Sequence, residues 1–140
     1  MKKLFVAFIF LPLYLYASHI NYEAKIYTVI FSSLFPHKHK ILVWSDSKRK
    51  EEVLSHVPNV LIVVERKNAD ILLLTKKTDI QAPQMKFVTS YKLLKHYKES
   101  AIGGFYWQKG RPNILFLKQN LQKYHLQLPS SLQEYEVDGL

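Results

Sequence analysis

The sequence contains no cysteine. That absence excludes disulfide staples, thiolate metal sites, a cysteine nucleophile and the lipid-modified start of a lipoprotein, so stability has to come from an apolar core. Glycine is scarce, with four residues in 140, and the only adjacent pair, Gly103 and Gly104, lies inside an apolar stretch and not between a strand and a helix. A phosphate-cradling loop is therefore not expected; a bulge or a close backbone approach is. The sequence also lacks a serine in a nucleophile-elbow pattern and a His-Glu-x-x-His helix, so catalytic residues are expected to be none and the protein is read as not an enzyme.

The start of the chain is apolar but short. Lys2 and Lys3 provide a positive beginning, Leu4 to Leu15 an apolar run, and Ala17 a small residue, the three-part layout read by the export machinery. A membrane-spanning helix needs about 20 apolar residues, more than this run supplies, and the run contains Pro12 and gives way to Ser18, His19 and Asn21. Residues 1–17 are expected to be a signal peptide cleaved after Ala17, and residues 18–140 a single periplasmic α/β domain; the competing reading is an uncleaved anchor. About 120 residues suffice for one core but not two.

The formal charge is +9, and without Lys2 and Lys3 it is +7, carried by clusters such as Lys48-Arg49-Lys50, Arg66-Lys67 and Lys76-Lys77. Such a balance suggests nucleic acid for a cytoplasmic protein. Export removes that partner and leaves solvated faces, anionic headgroups, cell-wall polymers or an acidic protein surface.

Periodicity predicts the elements. Asn21 can cap a helix with Glu23 in its first turn and Ile26, Val29, Ile30 and Leu34 on its buried face, ended by Pro36. Ile41 to Trp44 reads as a strand, Ser45-Asp46-Ser47 as a helix opening, and Lys48 to His56 as a helix with Val53 and Leu54 inward. Val60 to Val64 and Ile71 to Leu74 are continuous aliphatic runs, the pattern of strands covered on both faces. Their connection is too short for a crossover helix, so they are either antiparallel or parallel without being adjacent. Lys86-Phe87-Val88 is a strand, Thr89 and Ser90 can cap a helix from Tyr91 to Tyr97, and Ala101 to Leu117 forms a β-hairpin turning at Gly110. A short helix over Asn120 to His125 and a frayed tail close the chain. The fold class is α/β, with a mixed central sheet flanked by helices and ending in an antiparallel β-hairpin and a short helix.

Three groups of residues could carry function. Trp107, Gln108, Lys109 and Arg111 cluster at the hairpin tip, where aromatic and arginine residues together have the composition of a binding hot spot; packing of the alternate aromatics into the core competes with that reading. Ser45, Asp46 and Ser47 follow a strand's carboxyl end, where open α/β sheets bind ligands, although a plain helix cap explains them too. His37 and His39, with His19 nearby in sequence, are too few for a selective metal site, so neither metal nor cofactor is expected.

The order of these elements resembles the YfiR family of bacterial periplasmic proteins, which restrain a membrane-bound diguanylate cyclase. The resemblance runs through Ala24-Lys25-Ile26-Tyr27, the strands Ile41 to Trp44, Asp70 to Thr75 and Phe87 to Thr89, then Ala101-Ile102-Gly103-Gly104-Phe105 through Gly110 to Asn113–Leu117, and finally Tyr124 to Leu132. It implies a non-catalytic periplasmic regulator that binds the extracytoplasmic part of a signalling protein in the inner membrane and so affects cyclic-di-GMP. Dimers are common in that family, which adds a homodimer as an expectation. The absence of cysteine departs from the many members that use disulfides, so redox sensing does not carry over, and the turn from Trp107 to Pro112 looks more elaborate than the family's usual hairpin. The alternative reading is a small ligand-binding protein built like a solute-binding lobe, with Ser45, Asp46 and Ser47 as its contacts.

Overall fold

Residues 19–34 form a helix, α1, whose inward face repeats Ile20, Ala24, Tyr27, Ile30, Phe31 and Leu34 at three- and four-residue spacing. These positions come from the computed structural model, which describes residues 19–78 and 83–140; the expected signal peptide lies outside the described residues. Asn21 is an exposed residue within α1 and not its cap, because the helix already runs at His19. The buried face is also rotated from the expected one. Tyr27 and Phe31 occupy the core, whereas Val29 is half exposed.

After Pro36 the chain passes through β1 (Ile41–Ser45), α2 (Lys48–Leu54), β2 (Val60–Ile62), a 3-10 turn, β3 (Ile71–Leu74), β4 (Met85–Val88), α3 (Tyr91–His96), β5 (Ala101–Gln108), β6 (Arg111–Leu117), α4 (Lys118–Lys123), a second 3-10 turn and β7 (Glu136–Val137). The strands make one seven-stranded sheet in the order β2-β1-β3-β4-β5-β6-β7. Strands β1 to β5 are mutually parallel, β6 runs antiparallel to β5, and β7 is parallel to β6. The mixed sheet, its flanking helices, the closing hairpin and the short helix after it make this an α/β fold.

Strand β1 lies between β2 and β3, so the two strands with the short connection are parallel and not adjacent. Every side chain of β3 is buried, as its continuous aliphatic run requires. The equally aliphatic run from Val60 behaves differently. Only Val60–Ile62 of it is strand, the edge of the sheet with Leu61 50% exposed, and Val64, past the strand's end, is 94% exposed.

Alternating residues divide the core between the two sheet faces. Ile41, Val43, Ile71, Leu73, Phe87, Phe105 and Phe116 pack against α1 and α2, while Leu72, Leu74 and Val88 meet Leu93, Leu94 and Tyr97 around α3. Gly103 permits close strand contact. A Cβ there would run into the Leu115 carbonyl oxygen and crowd the Phe116 and Phe87 rings, and the β4–β5 register slips nearby, between Lys86 and Phe87. The hairpin turns on Lys109 and Gly110, both at positive φ (51° and 74°), as a two-residue type I′ connection demands. The tail is ordered and not frayed: the second 3-10 turn buries Leu132, and β7 pairs with β6 through Glu136 and Val137.

Candidate functional site

In a parallel sheet, the carboxyl ends of the strands and the openings of the following helices share one edge. Here that edge collects the amino-terminal turns of α1, the opening of α2, the ends of β1 and β3, and the protruding hairpin. The strand order 2-1-3 reverses direction at β1, so Asp46, just past β1, sits at a topological switch point.

Ser45, Asp46 and Ser47 are all engaged within the protein. The Thr75 backbone N–H donates to Asp46 Oδ1 at 2.9 Å and Oδ2 at 3.1 Å, Thr75 Oγ1 donates to Oδ1 at 2.8 Å, and the Lys76 N–H donates to Oδ2 at 3.2 Å. Ser47 caps α2 by accepting from the Lys50 N–H at 3.3 Å, and Ser45 Oγ accepts from the Ser47 N–H at 3.3 Å. Asp46 therefore ties the ends of β1 and β3 together, and Ser47 is the plain helix cap.

The residue with the most unusual surroundings on this edge is Glu23, which the sequence places in the first turn of α1. It lies on the apolar stripe of α1, one turn after His19, and is 1% exposed. Two cationic side chains and an imidazole converge on its carboxylate: Lys50 Nζ at 3.0 Å, Arg49 at 3.4 Å and His19 Nε2 at 3.1 Å. Burial pushes the Glu23 pKa upward, but Lys50, with Arg49 and His19, outweighs burial and holds it below the ordinary carboxylate value. Lys50 is itself only 12% exposed, so this is a desolvated pair, whereas Arg49 and His19 reach solvent. Tyr27 lies one turn further along α1. Its hydroxyl is buried without a hydrogen-bond partner, and its pKa is raised by that burial and by the Glu23 charge. The spacing of Glu23 within Ile20, Ala24 and Tyr27 is the signal that could have exposed this cluster in the sequence.

The hairpin joins the same cluster. The Trp107 ring lies 5.2 Å from the His19 ring, 5.9 Å from Tyr22 and 5.8 Å from Phe105, and Phe105 meets Tyr27 edge-on at 5.3 Å. Phe105 belongs to the core, while Trp107 and Tyr22 are 36% and 49% exposed. On the opposite face of the hairpin, Tyr106 packs 6.4 Å from Tyr91. The competition between core packing and surface recognition thus divides along the strand: Phe105 is core, and Trp107 is surface. Gln108, Lys109 and Arg111 are exposed at the tip.

His37 and His39 lie far from this edge, in the exposed turn before β1. No group of three His, Asp or Glu side chains able to hold a metal occurs among the described residues. At the amino ends of the parallel strands, an open groove of about 820 Å³ runs between residues 32–38 and 125–133, lined by Ser32, His37, His125, Gln127 and Ser130 among others. Among the described residues, no helix is long and apolar enough to cross a membrane. A scan against protein-family models finds no match, and a search of curated proteins finds none either.

Proposed function

We propose that the protein is a non-catalytic periplasmic regulator that binds the extracytoplasmic part of a signalling protein in the inner membrane, a diguanylate cyclase being the partner class implied by the resemblance to the YfiR family. The observation that supports a docking role is the exposed aromatic and cationic face at the carboxyl edge, where Trp107 and Tyr22 pack beside His19 and the hairpin presents Lys109 and Arg111. Aromatic rings held in place by their neighbours lose little entropy on binding, and together with arginine they dominate interface energetics. The export signal read at residues 1–17 supports the periplasmic location. Deleting the gene and measuring cellular cyclic-di-GMP tests the proposal: a reproducible change is expected, and an unchanged level with no co-purifying membrane partner rejects it.

The position of Asp46 at the topological switch point favours one second reading, a small ligand bound at that edge. Thermal-shift screening separates the two. A ligand worth about 1 to 3 kcal/mol raises the melting temperature by several degrees.

A further inference from the structure

We infer that the face built from His19, Tyr22, Trp107 and the β5–β6 tip docks an acidic segment of a protein partner. This deepens the regulator reading and rests on it. The charge balance within the face supports it. Its buried carboxylate, Glu23, is already matched by Lys50 at 3.0 Å and contacted by Arg49 and His19. The carboxylate is thus spent internally, and the cations of Lys109 and Arg111 are exposed at the hairpin tip just beyond Trp107. An acidic segment complements that field, and tyrosine and tryptophan rings cover its backbone and apolar side chains.

The apex Gln108-Lys109-Gly110-Arg111 is wholly polar and exposed, so the hairpin has no apolar tip to insert into a bilayer, and a lipid surface is left to the vesicle arm of the test. The rings sit on the hairpin's flank, packed on α1 through His19 and Tyr22. Glu23 contributes as an organiser. By holding His19 from one turn below, it fixes the ring on which Trp107 rests.

The chain has two tryptophans, so Trp44→Phe leaves Trp107 as the only reporter. The exported protein carrying this change is titrated with a short synthetic Glu-rich peptide, a Lys-rich peptide of equal length and phosphatidylglycerol vesicles, while Trp107 emission is followed. The expected result is a saturable change with the Glu-rich peptide alone, weakened about tenfold by Lys109→Glu with Arg111→Glu. A control pair of equal charge change at the opposite edge of the sheet, Lys40→Glu with Lys98→Glu, is expected to leave the titration nearly unchanged. No response to the Glu-rich peptide, equal weakening by both pairs, or a response to vesicles alone overturns the inference. Failure of the regulator reading is seen separately: cyclic-di-GMP unaffected by gene deletion rejects that reading even where Trp107 titrates, and a changed level with no titration rejects only the acidic-segment inference.

Discussion

Replacing Glu23 with Gln removes the negative charge at the centre of the carboxyl edge while nearly preserving shape. His19 and Arg49 are each more than two-fifths exposed and can rehydrate, so their pairs contribute little. Lys50 is different: at 12% exposure it keeps a charge in a desolvated site with the balancing carboxylate, 3.0 Å away in the parent, replaced by a neutral amide. Breaking a buried pair from one side costs about 3 to 5 kcal/mol, and the partial exposure of Lys50 places this case near about 3. For a domain of this size that lowers the melting temperature by about 10 °C, measurable by circular dichroism. Replacing both partners with methionine removes the stranded charge, so Glu23→Met with Lys50→Met is expected to recover most of the loss. A Glu23→Gln protein melting within about 3 °C of the parent, or a double variant no more stable than the single, refutes the reasoning. The pH dependence follows the same pair. The Glu23 pKa is lower folded than unfolded, so its stabilisation is complete above the ordinary glutamate value of about 4.5. As pH falls below that value the unfolded chain takes up the proton first, and the contribution is lost through the folded pKa.

Three other substitutions probe separate links. Gly103→Ala drives a Cβ into the Leu115 backbone, and a loss of at least about 2 kcal/mol is expected in denaturant unfolding; retention of parental stability would mean the strands lie further apart. Tyr27→Phe removes a buried hydroxyl that has no partner, so it is expected to be neutral or to stabilise by about 1 kcal/mol in the same assay, and a loss of that size would reveal a hidden partner. Asp46→Ala strips acceptors from the Thr75 and Lys76 amides and the Thr75 hydroxyl. It is expected to cost about 2 kcal/mol in thermal unfolding, and a neutral result would leave the β1–β3 link without energetic weight.

Much of the fold was legible because local signals and tertiary placement agree. The aliphatic run Ile71–Leu74 is buried on both faces, Ser47 and Ser90 cap the helices that follow them, and Gly110 turns the hairpin at positive φ. The misreadings arise where one pattern fits two environments. Val60 to Val64 is as aliphatic as Ile71–Leu74, yet its strand, Val60–Ile62, pairs on one side only, with β1, and is left at the edge, because position in the sheet is not written in hydrophobicity. The face of α1 was rotated because Tyr27 and Phe31, with Ala24, carry its core contact, and the more obvious Val29 does not. The tail reads as polar, but Leu128 and Leu132 anchor it and deliver Glu136 and Val137 to β6.

The candidate site was half visible. Trp107 and its basic neighbours stand out within the strand sequence, but their support on His19 and Tyr22 depends on α1 returning to the hairpin from more than 80 residues away. Glu23 stayed hidden because a carboxylate is ordinarily assigned to solvent, and only the convergence of Lys50, Arg49 and His19 makes its burial tolerable.

The most direct test of the proposed role is photo-crosslinking in living cells from a reactive residue placed at Lys109, on the exposed hairpin tip. The expected result is one dominant adduct with an inner-membrane signalling protein, identified by mass spectrometry and absent when the reactive residue is moved to Glu134. No adduct, or adducts only with abundant envelope proteins from both positions, contradicts the regulator reading and returns attention to the small-ligand alternative at Asp46.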